Sequence, residues 1–231
     1  MMRTPLILLP GMLCDSTLWE SQIEALSDVA DVTVGDLTGS NSISGMASRV
    51  LARAPERFAL AGVSLGGLVA LEIMRQAPNR VSRLCLLDCN AGPESSEARE
   101  KRMGVIAAVK QGNFKQVLSK QVGQLLHPEN RDGPLTAKIL EMGERAGSEQ
   151  MLDQLHAAME RSDSRPTLPT ITVPTLVIVG AEDAMTPPHL AREIAEGIEG
   201  SRLEIIEGAG HLPPMEKADA VNRVMRQWLN A

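Results

Sequence analysis

Six short runs of almost uninterrupted apolar character recur along this chain: PLILLP (5–10), DVTVGD (31–36), RFALAG (57–62), RLCLLD (83–88), PTLVIVG (174–180) and RLEIIEG (202–208). A strand with one wet face alternates apolar and polar residues, whereas a strand covered on both faces reads as a continuous apolar run. Between most of the runs lie segments with helical spacing, at 18–27, 43–54, 65–77 and 187–198, with another at 216–230 after the last run. Strand and helix in alternation predict an α/β chain with a doubly wound, mostly parallel sheet of about six strands. The rhythm breaks once. From Pro93 to about Leu168 no strand pattern stands out, only helical patterns rich in Ala, Leu and Met, punctuated by HPENRDGP (127–134) and RSDSRPTLP (161–169). We read residues 93–168 as a helical cap inserted after the fourth strand into a core made of 1–92 and 169–231. A chain of 231 residues suffices for one domain with such an insertion.

The third run passes directly into a helical segment through Gly62-Val63-Ser64-Leu65-Gly66. A strand that turns sharply into a helix holds the middle residue of the turn in a strained conformation with its side chain pointing outward. Small residues two before and two after keep the chain from colliding with itself, and Gly67 lets the helix pack closely. The Ser64 hydroxyl is therefore presented above the N-terminus of the following helix, where N–H groups and the helix dipole favour developing negative charge. By itself G-x-S-x-G is a weak signal, since it arises by chance in glycine-rich chains. The strand before it and the helix after it make it specific.

A serine nucleophile requires a base, and the base an orienting acid. Of His127, His156, His189 and His211, only His211, in EGAGHLPPME, follows a strand on the sheet edge that carries Ser64. His127 and His156 fall in the inserted helices and His189 begins a helix, positions typical of surface or helix-end histidines. Asp183, in VIVGAEDAMTPP, lies just beyond the fifth run. Open parallel sheets gather their sites along this C-terminal strand edge.

With AGVSLGG, GAEDAMTP, GAGHLPPME and the N-terminal LLPGMLCDSTLW in hand, nearly the whole chain resembles an α/β-hydrolase of the small, cap-bearing kind. The resemblance implies a Ser64–His211–Asp183 triad. It also implies an oxyanion hole from the backbone N–H groups of Leu65 and, by position in the loop after the first strand, Met12. That loop often begins His-Gly in the family and begins Pro10-Gly11 here; the donor is a backbone group, so the change costs little. The sheet starts at the family's usual third strand. Asp88 in LLDCNAG also ends a strand, and some relatives place their acid there; the GAEDAMTP loop fits the commoner pattern and favours Asp183. Glu182 adjoins Asp183, which could also be only a turn residue. Asp36 reads as a structural turn residue and Cys14 as a small buried hydrophobe.

The activity implied is that of a serine hydrolase cleaving a small ester, thioester or lactone, with water as second substrate and no metal or organic cofactor. Two rivals remain: carbon–carbon bond hydrolysis or a lyase on the same triad, and a non-catalytic small-ligand receptor. Dehalogenation is disfavoured, because that chemistry in this fold uses an aspartate where Ser64 stands. A net charge of −6 argues against a nucleic-acid partner, and no long apolar stretch suggests a leader or membrane span. Cys14, Cys85 and Cys89 lack metal-ligand spacing, and Cys85 and Cys89 lie too far apart on an extended segment to bridge, so a reducing cytoplasm is expected. With no Tyr and 12 Met, a pocket must be lined by aliphatic and thioether side chains. Between Arg99 and Lys120, Arg99, Lys101, Arg102, Lys110, Lys115 and Lys120 face only Glu100. An ordinary solvated face explains this first; a patch steering an acyl-carrier or CoA-linked substrate is the alternative.

Overall fold

In the computed structural model, which describes residues 3–231, each of the six apolar runs supplies one strand of a single sheet. Met1 and Met2, at the start of the segment read as carrying no leader, lie outside the described residues. The strands are β1 (Thr4–Leu9), β2 (Ala30–Val34), β3 (Phe58–Val63), β4 (Val81–Leu87), β5 (Thr175–Gly180) and β6 (Arg202–Ile206). Their order is β2-β1-β3-β4-β5-β6 and every pairing is parallel, so the expected "mostly parallel" sheet is wholly so.

Both faces are covered, as the continuous apolar runs require. Along β1, Leu6 and Leu8 belong to one core cluster while Ile7 and Leu9 belong to the other. The first cluster takes in Trp19, Leu26 of α1 (Glu20–Leu26), and Met225 and Trp228 of α9 (Ala218–Asn230). The second takes in Met46 and Val50 of α2 (Ile43–Arg53), Val69 and Ile73 of α3 (Leu65–Gln76), and Ile194 of α7 (Pro188–Gly197). Helix α9 shows why these helices dock: Val221, Val224, Met225 and Trp228 are buried at helical spacing. Each such side chain contributes about 1.5–3 kcal/mol when fully buried.

Between β4 and β5 the chain forms α4 (Ser96–Lys110), α5 (Phe114–Leu125) and α6 (Pro134–Met159). Ser95 caps α4 by accepting the Ala98 N–H (3.1 Å). Helix α6 is broken at Gly147, whose φ of 81° and ψ of 174° are not helical. Ile106, Val109, Leu118, Val122, Ile139 and Met142 from these helices join the first core cluster. A short helix, α8 (Pro213–Glu216), precedes α9. Among the described residues no helix is long and apolar enough to cross a membrane.

The sheet order positions the site. The chain leaves β1 to β2 on one side and returns to β3 on the other, so the loops after β1 and β3 flank a crevice at the C-terminal strand edge.

Candidate active site

Ser64 stands between the end of β3 and the start of α3 with φ 54° and ψ −115°. A non-glycine residue with positive φ stores of order 1–3 kcal/mol of strain and persists only where its surroundings impose it. Here the Ser64 N–H is held by the Leu87 carbonyl (2.9 Å), which extends the β3–β4 ladder into the turn. The flanking glycines are required by contact: a Cβ on Gly62 would strike the Gly66 carbonyl, and one on Gly66 the Leu9 carbonyl. Gly67 brings α3 against the Cys89 side chain in the loop after β4.

The loop after β6 brings His211 to this serine. His211 is buried, at 3% exposure, with Nε2 2.8 Å from Ser64 Oγ and Nδ1 2.8 Å from Asp183 Oδ2. Asp183 Oδ1 accepts the N–H groups of Met185 (2.8 Å) and Thr186 (3.1 Å), and Oδ2 also accepts the Thr186 hydroxyl (2.6 Å). Burial by itself would raise the Asp183 pKa. Hydrogen bonds from His211 and Thr186 outweigh it and hold the carboxyl well below the usual carboxylate range. An ionised carboxylate only accepts, so Nδ1 of His211 carries the proton and Nε2 is free to accept from Ser64.

Asp88, directly after β4, has φ 44° and is buried beside this trio but not bonded to His211. Its Oδ1 accepts the Gly180 N–H (2.8 Å) and its Oδ2 is buried without a partner. Burial, together with the Asp183 charge, drives the Asp88 pKa well above its ordinary value. Potential ligand atoms of Asp88, Asp183 and His211 lie within 4.8 Å of one another. His211 Nδ1 and Asp183 Oδ2 bond to each other and Asp88 Oδ1 accepts from Gly180, leaving Asp88 Oδ2 without a partner.

Met12, in the loop after β1, and Leu65, the first residue of α3, line the same cavity as Ser64. Neither N–H is bonded within the described residues. The neighbouring Leu13 has φ 59° and donates its N–H to the buried Oε1 of Gln154 in α6 (2.8 Å). Cys14 is half-buried in the cavity wall rather than in the core, and burial with the nearby Asp15 charge pushes its thiol pKa to about 12. A raised pKa disfavours the reactive thiolate. The cavity has a volume of about 240 Å3, and Leu118, Val122, Leu125, Ile139 and Met185 give it an aliphatic lining.

Other expected residues fall away from the chemistry. Glu182 and His189 are exposed. Asp36 accepts the Thr38 N–H (2.9 Å), as a turn residue does. His127 serves backbone structure, its Nδ1 accepting the Glu129 N–H (3.3 Å). Of the basic run on α4 and α5, Arg99 pairs with Glu160, Lys101 with Glu97, Arg102 with Glu94 and Lys115 with Glu144. Acids outside the Arg99–Lys120 window therefore offset Arg99, Lys101 and Lys115, while Arg102 shares its acid, Glu94, with Arg161.

Two contributors were invisible in the sequence. Gln154 is one. The other is Glu216, whose Oε1 accepts from Gly210 N (2.9 Å) and Leu212 N (3.3 Å), on either side of His211. Its Oε2 accepts from His127 N (2.6 Å) and Asn130 Nδ2 (2.9 Å). The His211 N–H itself donates to the Leu125 carbonyl (2.7 Å), so the histidine loop is fastened to the inserted helices.

An outward serine on a strained strand–helix turn, joined to a histidine and an acid from later strand ends of a parallel sheet, defines a hydrolase-type α/β protein. The profile of the alpha/beta hydrolase family matches residues 6–224, and the chain belongs to that family. Similar curated proteins include a pimeloyl-[acyl-carrier protein] methyl ester esterase of Neisseria meningitidis serogroup B, 34% identical over 73% of this chain and 67% of that protein. A protein of the same designation from Pectobacterium carotovorum is 32% identical over 94% of this chain and 91% of its own length. Among solved structures, a thermophilic esterase from Thermogutta terrifontis superposes with a TM-score of 0.89 at 31% identity, covering 98% of this chain and 89% of that one.

Proposed function

We propose that this protein is a serine hydrolase that cleaves a small carboxylic ester through an acyl-enzyme on Ser64. What carries the reading is the hydrogen-bonded chain from Ser64 Oγ through His211 to Asp183, opening on a cavity into which unpaired N–H groups can point. Ser64 Oγ attacks the ester carbonyl while His211 Nε2 takes its proton, and the carbonyl oxygen becomes an oxyanion bound by the N–H groups of Met12 and Leu65. The imidazolium then gives its proton to the departing alkoxide, and the C–O bond to the alcohol breaks. Water repeats the sequence on the acyl-enzyme, releasing the acid and restoring Ser64. Asp183 holds the Nδ1–H tautomer and stabilises the imidazolium.

In this reading residues 93–168 form a cap over a core of 1–92 and 169–231. Support comes from Leu118, Val122 and Ile139 in the cavity wall and from the Leu125 carbonyl on the His211 N–H. The volume is below the roughly 300–1,000 Å3 typical of drug-sized ligand pockets, which favours a short or slender acyl group. The relatives named for a methyl ester on an acyl-carrier protein make a methyl ester of a carrier-linked acyl chain the first substrate to try. The free thiols of Cys14, Cys85 and Cys89 suit a reducing compartment such as the cytoplasm.

The test is labelling of the native protein by a fluorophosphonate, with Ser64→Ala as control, followed by a screen of p-nitrophenyl esters of graded acyl length, lactones and acyl-CoA thioesters. Labelling that depends on Ser64, with turnover of short esters, is expected. A native, folded protein that resists the probe would instead be a receptor.

A further inference from the structure

The proposed reaction leaves unexplained a charged cluster in the cavity wall. Glu94, in the loop after β4, has a side chain only 3% exposed and faces two guanidinium groups. Arg161, just beyond α6, is ion-paired to Glu94 Oε2 through Nη1. It also donates from Nε to the Gly92 carbonyl (2.9 Å) and from Nη1 to the Ala158 carbonyl (2.8 Å). Arg102, on α4, donates from Nε to Glu94 Oε1 (3.1 Å) and from Nη2 to Oε2 (3.5 Å). Burial opposes charge on Glu94, but the guanidinium contacts prevail and hold its pKa below the ordinary value.

Glu94, Arg102 and Arg161 all line the cavity that contains Ser64. One carboxylate against two guanidiniums leaves a positive charge in excess, inside a protein whose net charge is −6. Arg161 is fixed by two backbone carbonyls and is more deeply buried than Arg102, so the excess resides on Arg102. Its Nη1 bonds to no described residue, and its side chain is 24% exposed. Asn90, in the same wall, has its Oδ1 buried without a partner. The two ends of a side-chain amide exchange by a half-turn, which would put an Nδ2 donor in that place. A surplus guanidinium and an unsatisfied amide in an otherwise aliphatic wall are what an entering anion would complete.

We propose that Arg102, supported by Arg161 and Asn90, forms an anion subsite in the acyl cavity, selecting esters that carry an anionic oxygen group remote from the scissile bond. A carboxylate at the end of the acyl chain and a phosphate on a carrier arm share this chemistry. The word "ester" rests on the function proposed above; the binding does not.

The experiment is calorimetric titration of the full chain carrying Ser64→Ala, which binds without turnover. Monomethyl adipate is compared with methyl hexanoate for a chain-end carboxylate, and phosphopantetheine with pantetheine for a carrier phosphate. The anionic member of at least one pair should bind about tenfold tighter or more, the scale of one charge-assisted hydrogen bond. Adding Arg102→Gln should abolish that preference and leave the neutral ligand's affinity unchanged, while Arg102→Lys should keep part of it. Equal affinities within both pairs would overturn the proposal, as would a preference that survives Arg102→Gln. If Arg102→Gln loses the neutral ligand too, Arg102→Lys decides: a retained anion preference supports the subsite and its absence refutes it. An unmodified chain that hydrolyses no ester, with the anion preference intact, would overturn the hydrolase reading alone.

Discussion

The buried side-chain carbonyl of Gln154 accepts the backbone N–H of Leu13 at 2.8 Å, joining α6 to the loop after β1 across 141 positions of sequence. Leu13 is held there at φ 59°, and the preceding residue, Met12, carries one of the two N–H groups assigned to the oxyanion. Replacing Gln154 by Leu leaves a buried N–H without a partner, which costs about 1–3 kcal/mol. We expect kcat to fall with little change in KM, by no more than the 10²–10³ typical of losing one oxyanion donor. Steady-state kinetics beside urea unfolding checks this. Lost stability with an unaltered kcat would reduce Gln154 to a packing role.

Ser64→Ala and His211→Ala should each remove nearly all hydrolysis while the fold persists. Because the two groups act in one proton transfer, the double variant should be little worse than either single one. Multiplying losses, measured as kcat/KM on a p-nitrophenyl ester, would contradict the assigned roles.

The two strand-end acids separate cleanly. Asp183→Asn should lower kcat by about 10⁴ through the wrong imidazole tautomer. Asp88→Asn should change kcat far less, because Asp88 makes no bond to His211 and Asn keeps the acceptor for the Gly180 N–H. The reverse ranking would exchange their roles.

Stability should respond to pH with opposite signs at these two positions. The depressed pKa of Asp183 contributes stability that is present above the unfolded value, about 3.9, and lost as pH falls through the folded value. Asp88, raised by burial and by Asp183, with a smaller contribution from Glu216, binds its proton more tightly folded than unfolded. Its contribution therefore declines as pH rises above about 3.9. Asp88→Asn should raise the urea midpoint at pH 7 relative to the parent, with the gain shrinking toward pH 4. A gain that grows on acidification would refute a raised Asp88 pKa.

Glu216 offers two oxygens to N–H donors only. Glu216→Gln turns one of them into a donor facing donors, so we expect a loss of about 1–3 kcal/mol in urea unfolding. A lower kcat should accompany it, because the His211 loop loses its fastening. Unchanged stability would show that the loop holds itself.

Much of this protein is readable from the chain alone, and the reason is locality. β3 is legible because Phe58–Val63 is buried on both faces and so wholly apolar, and the elbow because Gly62 and Gly66 must be glycine for the turn to close. Ser64, Asp183 and His211 each follow a strand, and a parallel sheet carries all such positions to one edge whatever the rest of the chain does. Which acid meets His211 is different in kind: Asp88 and Asp183 both end strands, and only the packed structure puts 2.8 Å between Asp183 Oδ2 and Nδ1. The same holds for Gln154, Glu216 and the Glu94–Arg102–Arg161 cluster, and for the pairs Arg99–Glu160 and Lys115–Glu144. Their partners lie across the boundary between the inserted helices and the sheet, or between one inserted helix and another. Periodicity fixes which face of a helix is apolar, but the position of that helix over the sheet depends on side-chain packing summed over the whole core, so these contacts exist only once the tertiary structure has formed.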